Sequence, residues 1–99
     1  MIIYQVTVEV DHDEANWLMW MKEKHIPEVM KTGSFSSFKI CRIMNEESEK
    51  HTYVIQYACK SREALEYYFE HFAPVLQKGY NEYFNGKFTA TRSILEVLE

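Results

Sequence analysis

Residues 2–10 constrain the chain most. Ile2, Tyr4, Val6, Val8 and Val10 occupy every second position, and Gln5, Thr7 and Glu9 fill most of the places between. Period two with β-branched residues is the pattern of a strand, and a strand needs hydrogen-bonding neighbours. An opening strand is often central in a small sheet, so both of its rows carry information. Three later stretches can supply the neighbours. Phe35 to Met44 sets Phe38, Ile40, Arg42 and Met44 against Ser37, Lys39, Cys41 and Ile43. Thr52 to Cys59 sets Tyr53, Ile55 and Tyr57 against Val54, Gln56 and Ala58. Phe88 to Leu98 makes a long last strand with polar and apolar positions on both faces. Between the second and third strands, Asn45 to Lys50 reads as a charged, solvated hairpin loop.

Two helical stretches separate these strands. Asp11 with Glu14 three residues on resembles a capping box, with acid at the positive end of the helix dipole. With His25 as the origin of a helical wheel, Leu18, Met21 and Val29 lie within about 40° of it. His25 is therefore expected on the apolar face, with Trp20 about 140° away. One tryptophan then packs in the core, and the other covers a seam or stays partly exposed. Pro27 removes a backbone donor, so the helix is expected to kink or restart near His25-Ile26; Gly33 ends it as a left-handed cap. Ser61 caps the second helical stretch. Leu65, Tyr68, Phe69, Phe72 and Leu76 make its stripe, which Tyr80 and Tyr83 continue past the interruption at Pro74; Asn85-Gly86 closes it. The two helices echo each other weakly, each with a histidine shortly before a proline and two apolar residues after it.

The order β-α-β-β-α-β predicts an α+β fold: a ferredoxin-like subunit with a four-stranded antiparallel sheet and two helices on one face, all 99 residues forming one domain. Nothing remains to cover the other face of the sheet. Its row still holds Ile3, Ile43, Val54 and Leu95, and a second copy of the chain is the simplest cover. A net charge of −4 with eleven scattered basic residues argues against nucleic-acid binding. No run of about eighteen apolar residues exists, and the first residues do not read as a signal peptide. A hairpin turn near residues 46–49 sets Cys41 opposite Val54, out of register for a bridge to Cys59. Free thiols, read as small buried hydrophobes, and a cytoplasmic location follow.

The pattern Met1-Ile2-Ile3-Tyr4-Gln5-Val6-Thr7-Val8, Trp17-x-x-Trp20-Met21-x-x-x-His25-Ile26-Pro27-x-Val29-Met30-x-Thr32-Gly33-x-Phe35, Thr52-Tyr53-x-x-Gln56-Tyr57, Ala73-Pro74 and Arg92 resembles a bacterial family of small proteins catalogued as a domain of unknown function. That family is grouped with the dimeric α+β barrel proteins. The resemblance covers essentially the whole chain, and the motif of the first helix is its most specific part. It implies a ferredoxin-like subunit and a homodimer whose two sheets face each other. Relatives in the wider superfamily include cofactor-free monooxygenases, haem-degrading enzymes, muconolactone isomerases and plant stress-responsive proteins, and fold alone does not choose among them.

His25 is the candidate general base, since a histidine near neutral pKa at a disrupted turn can move a proton or bind an anion. The other reading is a buried histidine that bonds a backbone carbonyl and fixes the kink. Tyr4, Tyr53 and Tyr57, on neighbouring strands, can bind a ligand oxygen or serve as large core residues. Arg42 and Arg92 interrupt apolar rows. They can bind an acidic substrate or pair with Glu9 or Glu96 across a dimer seam. Trp17 and Met21 can line an apolar pocket or fill ordinary core. Gln5 and Gln56 suggest a polar patch inside a barrel. The remaining histidines stand at no ligand spacing, and there is no HExxH, CxxC, phosphate loop, GxGxxG or GxSxG, so the sequence points to no metal and no cofactor. The reading these residues support is a dimer that binds a small apolar or aromatic molecule in a cavity between sheet and helices, with cofactor-independent oxygenase or isomerase chemistry as its catalytic form. The alternative is a non-catalytic dimeric interaction or ligand-sensing module. Haem handling lacks an axial-ligand constellation.

Overall fold

The strand read at residues 2–10 is β1 (Ile2–Val10), and it is paired antiparallel on both edges. Its neighbours are β3 (His51–Cys59) and β4 (Ala90–Glu96); β2 (Ser37–Arg42) lies beyond β3, giving the order β2-β3-β1-β4. This computed structural model describes residues 1–45, 50–85 and 87–99. The loop expected over 45–50 falls largely outside the described residues, as does Gly86. The strand edges are shorter than the sequence suggests: β2 starts at Ser37 rather than Phe35, and β4 runs from Ala90 to Glu96 rather than from Phe88 to Leu98. Register agrees with the reading of the hairpin, since Cys41 faces Val54 and both thiols are free.

Alternation along the strands sorts the two faces. Tyr4, Val8 and Val10 of β1 and Tyr53, Ile55, Tyr57 and Cys59 of β3 are buried on one side. On that side they meet Trp17, Met21, Ile26 and Val29 from the first helical segment and Leu65, Tyr68, Tyr80 and Phe84 from the second. Trp17, Ile26, Ile55 and Leu65 lie at under 2% exposure, and each such burial contributes about 1.5–3 kcal/mol. On the other side Gln5, Thr7, Val54 and Gln56 stay half-buried. The Gln56 amide donates to the Gln5 carbonyl at 2.8 Å across the middle of this open face. Cys41 lies on the open row and is exposed, not the small buried hydrophobe expected of it; edge strand β2 has no helix over that side.

The first helical segment is built in three pieces: α1 (Glu14–Trp20), a π-helical turn (Met21–His25) and α2 (Ile26–Lys31). The restart near His25-Ile26 matches the reading of Pro27, which sits in the first turn of α2. The start differs from expectation. Asp13 takes a left-handed conformation with φ 55° and no side-chain cap forms, so Asp11 and Glu14 make no capping box. The Asp11 carboxylate instead bonds His12, which holds its pKa below the usual value. At the far end Gly33, φ 76°, closes the segment as a left-handed cap. Ser61 caps α3 (Arg62–His71) by accepting from the Ala64 N–H at 3.2 Å. The chain breaks at Phe72 and resumes as α4 (Ala73–Phe84), with Asn85 left-handed at its end. Tyr83, placed in the core stripe by its spacing, is 51% exposed on the outer side of α4.

Candidate functional site

Sheet and helices do not close completely on each other. A cavity of about 40 Å³ lies between them. Its floor is Tyr4, Val6, Val8, Ile55 and Tyr57, with Ala90 and Arg92 at the β4 edge. Its roof is Met21, His25 and Val29 from the first helical segment and Tyr68, Leu76, Gln77 and Tyr80 from the second. Of the residues singled out in the sequence, His25, Tyr4, Met21, Tyr57 and Arg92 therefore share one cavity. Trp17 lies beside it, fully buried, with its Nε1–H donating to the Tyr80 hydroxyl at 2.9 Å. Tyr53 and Arg42 lie elsewhere.

His25 shares the roof with Met21 and Val29, as its place on the apolar face of a regular wheel predicts, and what it stacks on is set by the π turn. In it the Ile26 N–H donates to the Met21 carbonyl, five residues back. This spacing brings residues five apart onto one face. Trp20 and His25, which a regular wheel sets about 140° apart, are instead stacked at 5.4 Å with ring planes 19° apart. Tyr83 stacks on Trp20 at 4.9 Å. Trp17, at 0% exposure, packs in the core, and Trp20, at 9%, covers the seam between the π turn and α4 against His25, Tyr80, Tyr83 and Phe84 rather than staying partly exposed.

His25 makes no side-chain hydrogen bond among the described residues, and its ring nitrogens are not sealed off. The carbonyl bond that would make it a purely structural histidine is absent among them. Burial lowers its pKa to about 4; Glu28 opposes this and Arg92 adds to it. The imidazole is neutral at pH 7. Beside it, Arg92 donates through Nε to the Tyr4 hydroxyl at 3.1 Å. Burial raises the pKa of Tyr4, with Arg92 pulling the other way. Burial also pushes Tyr57, Tyr68 and Tyr80 upward, so all four phenols are un-ionised donors at neutral pH. The cavity thus presents one free neutral imidazole, one guanidinium and several phenol O–H groups within aromatic walls.

A second cluster was not anticipated from the sequence. The Glu14 carboxylate accepts from the Tyr53 hydroxyl and bonds His51 Nδ1, and Arg42 Nη1 lies 3.6 Å away. Tyr53 above all, with His51 and Arg42, holds the Glu14 carboxyl below its ordinary pKa. Within the subunit Arg42 thus pairs with Glu14, while Glu9 is met by Lys50 at 3.8 Å. The signal was partly present: the register that puts Cys41 opposite Val54 also puts Arg42 opposite Tyr53, and His51 shares the Tyr53 row. Among the described residues no group of three or more His, Cys, Asp or Glu side chains is arranged to hold a metal, and no helix is long and apolar enough to cross a membrane.

Solved structures show the same fold. An ethyl tert-butyl ether d (ethd) family protein from Bacillus halodurans aligns with a TM-score of 0.73 at 19% identity, covering 99% of this chain and 100% of that one. A dimeric ferredoxin-like protein from an uncultured marine organism aligns at 0.66 and 19% identity, covering 99% and 96%. A mutant of SnoaB, a cofactor-independent oxygenase from Streptomyces nogalater, aligns at 0.69 and 7% identity, covering 99% and 94%. At these identities the likeness is one of fold. No curated protein matches the chain in sequence. The model of the family described as Domain of unknown function (DUF4286) matches residues 1–98, and the chain belongs to that family.

Proposed function

We propose that the chain acts as a homodimer, each subunit binding a small apolar or aromatic molecule between sheet and helices, with His25 as its polar anchor. One observation carries the reading: among the described residues His25 is a neutral imidazole without a hydrogen-bond partner, in an aromatic cavity beside the Tyr4–Arg92 pair. A fold gains little from such a group, whereas a ligand hydroxyl or carbonyl can partner it. Tyr57 and Met21 shape the apolar part, and Trp17 braces Tyr80 from behind. Tyr53 and Arg42, committed to Glu14, drop out of the ligand set.

In the catalytic form, His25 takes a proton from an acidic O–H or C–H of the ligand, and Arg92 with the Tyr4 hydroxyl holds the resulting anion. Cofactor-independent oxygenase or isomerase chemistry begins with such a step, and SnoaB is a fold neighbour of that kind. A base with a pKa of about 4 is fully unprotonated at pH 7 but weak. That favours the second reading, a non-catalytic ligand-sensing dimer, which uses the same cavity. The open sheet face supports the dimer, as do Ile94, Leu95, Val97 and Leu98, which lie 37–82% exposed along β4 and the tail after it. The marine neighbour is itself described as dimeric. Unbridged thiols fit a reducing cytoplasm.

Native mass spectrometry of protein purified from its own host tests this directly. The expected species is twice 11.9 kDa plus a small molecule, which His25→Gln releases. A monomer at micromolar concentration sinks the dimer, and retention of the ligand by His25→Gln sinks the site.

A further inference from the structure

The cavity has a neighbour that shares its wall. His25, Leu76 and Tyr80 line both the cavity and an open groove between the π turn and α4. The cavity holds about 40 Å³, room for roughly three water molecules and too little for a substituted aromatic ring. The groove holds about 520 Å³. Gly79, in the middle of α4, lines it. Glycine weakens a helix interior relative to alanine, so a reason for it is wanted. The fold supplies none: a Cβ built at Gly79 meets nothing within 4 Å. What the missing side chain does is leave the groove clear next to the shared wall. Trp20 adds an independent mark. It lines the groove, is 9% exposed, and its indole Nε1 is buried without a hydrogen-bond partner among the described residues.

We infer that this groove is the outer half of the ligand site. A molecule that reaches His25 passes between the π turn and α4, and its far end stays over Gly79. The inference rests on the ligand reading above and adds length and polarity to it. Arg92 is the charged residue of the inner cavity, whereas along the groove Glu28 pairs with Lys24 at 3.4 Å and Glu82 with Lys78 at 3.9 Å, so no lysine there lacks a carboxylate. An acidic hydroxyl or carbonyl therefore goes in first, and an uncharged apolar body stays outside. The ligand is elongated, of at least two fused rings or equivalent length, with its acidic oxygen at one end and no anionic group at the other.

Phenol, 2-naphthol and 6-hydroxy-2-naphthoate test this by calorimetry, with the His25 ring-proton NMR signal reporting occupancy of the inner cavity. The full chain should bind 2-naphthol at least tenfold more tightly than phenol, and both should move the His25 signal. The naphthoate, whose carboxylate would lie among Glu28 and Glu82, should lose that gain. Gly79→Leu, at an exposed helical position, should abolish the advantage of 2-naphthol and leave unchanged the binding of phenol, whose hydroxyl alone enters the inner cavity and whose single ring ends at the shared wall of His25 and Tyr80. If Gly79→Leu binds 2-naphthol like the parent protein while the His25 signal still moves, the groove is not part of the site, although the ligand reading stands. If Gly79→Leu blocks 2-naphthol but the His25 signal never moves, the groove is a separate site and the inference is wrong. If none of the probes binds at millimolar concentration, the ligand reading falls and takes this inference with it.

Discussion

Protonating His25 should unfold the protein by a calculable amount. Its folded pKa is about 4 against an ordinary 6.5, with burial as the main cause. Between those values the unfolded chain binds a proton that the folded chain refuses. More protons are bound in the unfolded state, so stability rises with pH across this window and falls as pH drops from 6.5 toward 4. The whole effect corresponds to about 3 kcal/mol below pH 4, of which about 2 kcal/mol has gone by pH 5. Above pH 7 the term vanishes.

The assay is urea unfolding at pH 7 and pH 5 on the parent protein and His25→Gln, at one protein concentration because self-association also shifts stability. Other carboxyls, Glu14 and Asp11 among them, titrate in both proteins and cancel in the difference. With a urea slope of about 1–3 kcal/mol per molar for a domain of this size, the parent midpoint should fall by roughly 1 M more than that of the variant. Equal pH dependence in the two proteins refutes the reasoning. So does an NMR titration that puts the His25 midpoint near 6.5, because burial then fails to hold the imidazole neutral. Glu28 pulls in that direction and Arg92 against it, so Glu28→Gln should lower the midpoint further.

Two more perturbations probe the frame around the site. Glu14→Ala leaves the hydroxyl of Tyr53, 4% exposed, without its acceptor and should lose about 1–3 kcal/mol in urea unfolding at pH 7; a change under a few tenths would show that the cluster of Glu14, His51, Tyr53 and Arg42 contributes nothing at neutral pH. Gly79→Ala meets no atom within 4 Å and should gain roughly 0.5–1 kcal/mol from helix propensity, several degrees in Tm; a lower Tm would mean that the glycine serves the fold rather than the groove.

The strands were legible because alternation, register and a short hairpin fix one another. Once residues 46–49 are taken as the turn, Cys41 must face Val54 and Arg42 must face Tyr53, as they do. The Ser61 and Gly33 caps were legible because their chemistry is local. The Glu14 cluster joins α1, β2 and β3, and nothing in the sequence says that α1 begins at Glu14. Asp11 satisfied the rule for a cap better than Asp13, which holds the turn through a left-handed backbone rather than a side-chain bond. The partners of Trp20 were illegible for a different reason. Helical-wheel arithmetic assumes one spacing throughout, and a single π turn rotates everything beyond it.

The two proline-containing segments show what that rotation accomplishes. Both place a histidine shortly before a proline, His25 before Pro27 and His71 before Pro74. In the second, the helix breaks outright at Phe72, with φ −122°, and α4 restarts after it. His71 is left on the surface beside Tyr67. In the first, the backbone accommodates Pro27 without breaking, taking up one extra residue between Met21 and Ile26. That residue stacks His25 on Trp20 while it stays on the face toward the cavity. A histidine shortly before a proline therefore does not make a site by itself. A break releases the helix that follows, whereas a π turn keeps the chain helical and brings residues five apart onto one face, and π turns of this kind gather at functional positions. The imidazole that results is neutral, half-buried and, among the described residues, without a hydrogen bond, at the wall between a small cavity and a wide groove. Satisfying it from within the fold would need only a nearby carbonyl. The first segment leaves it instead where an arriving molecule meets it.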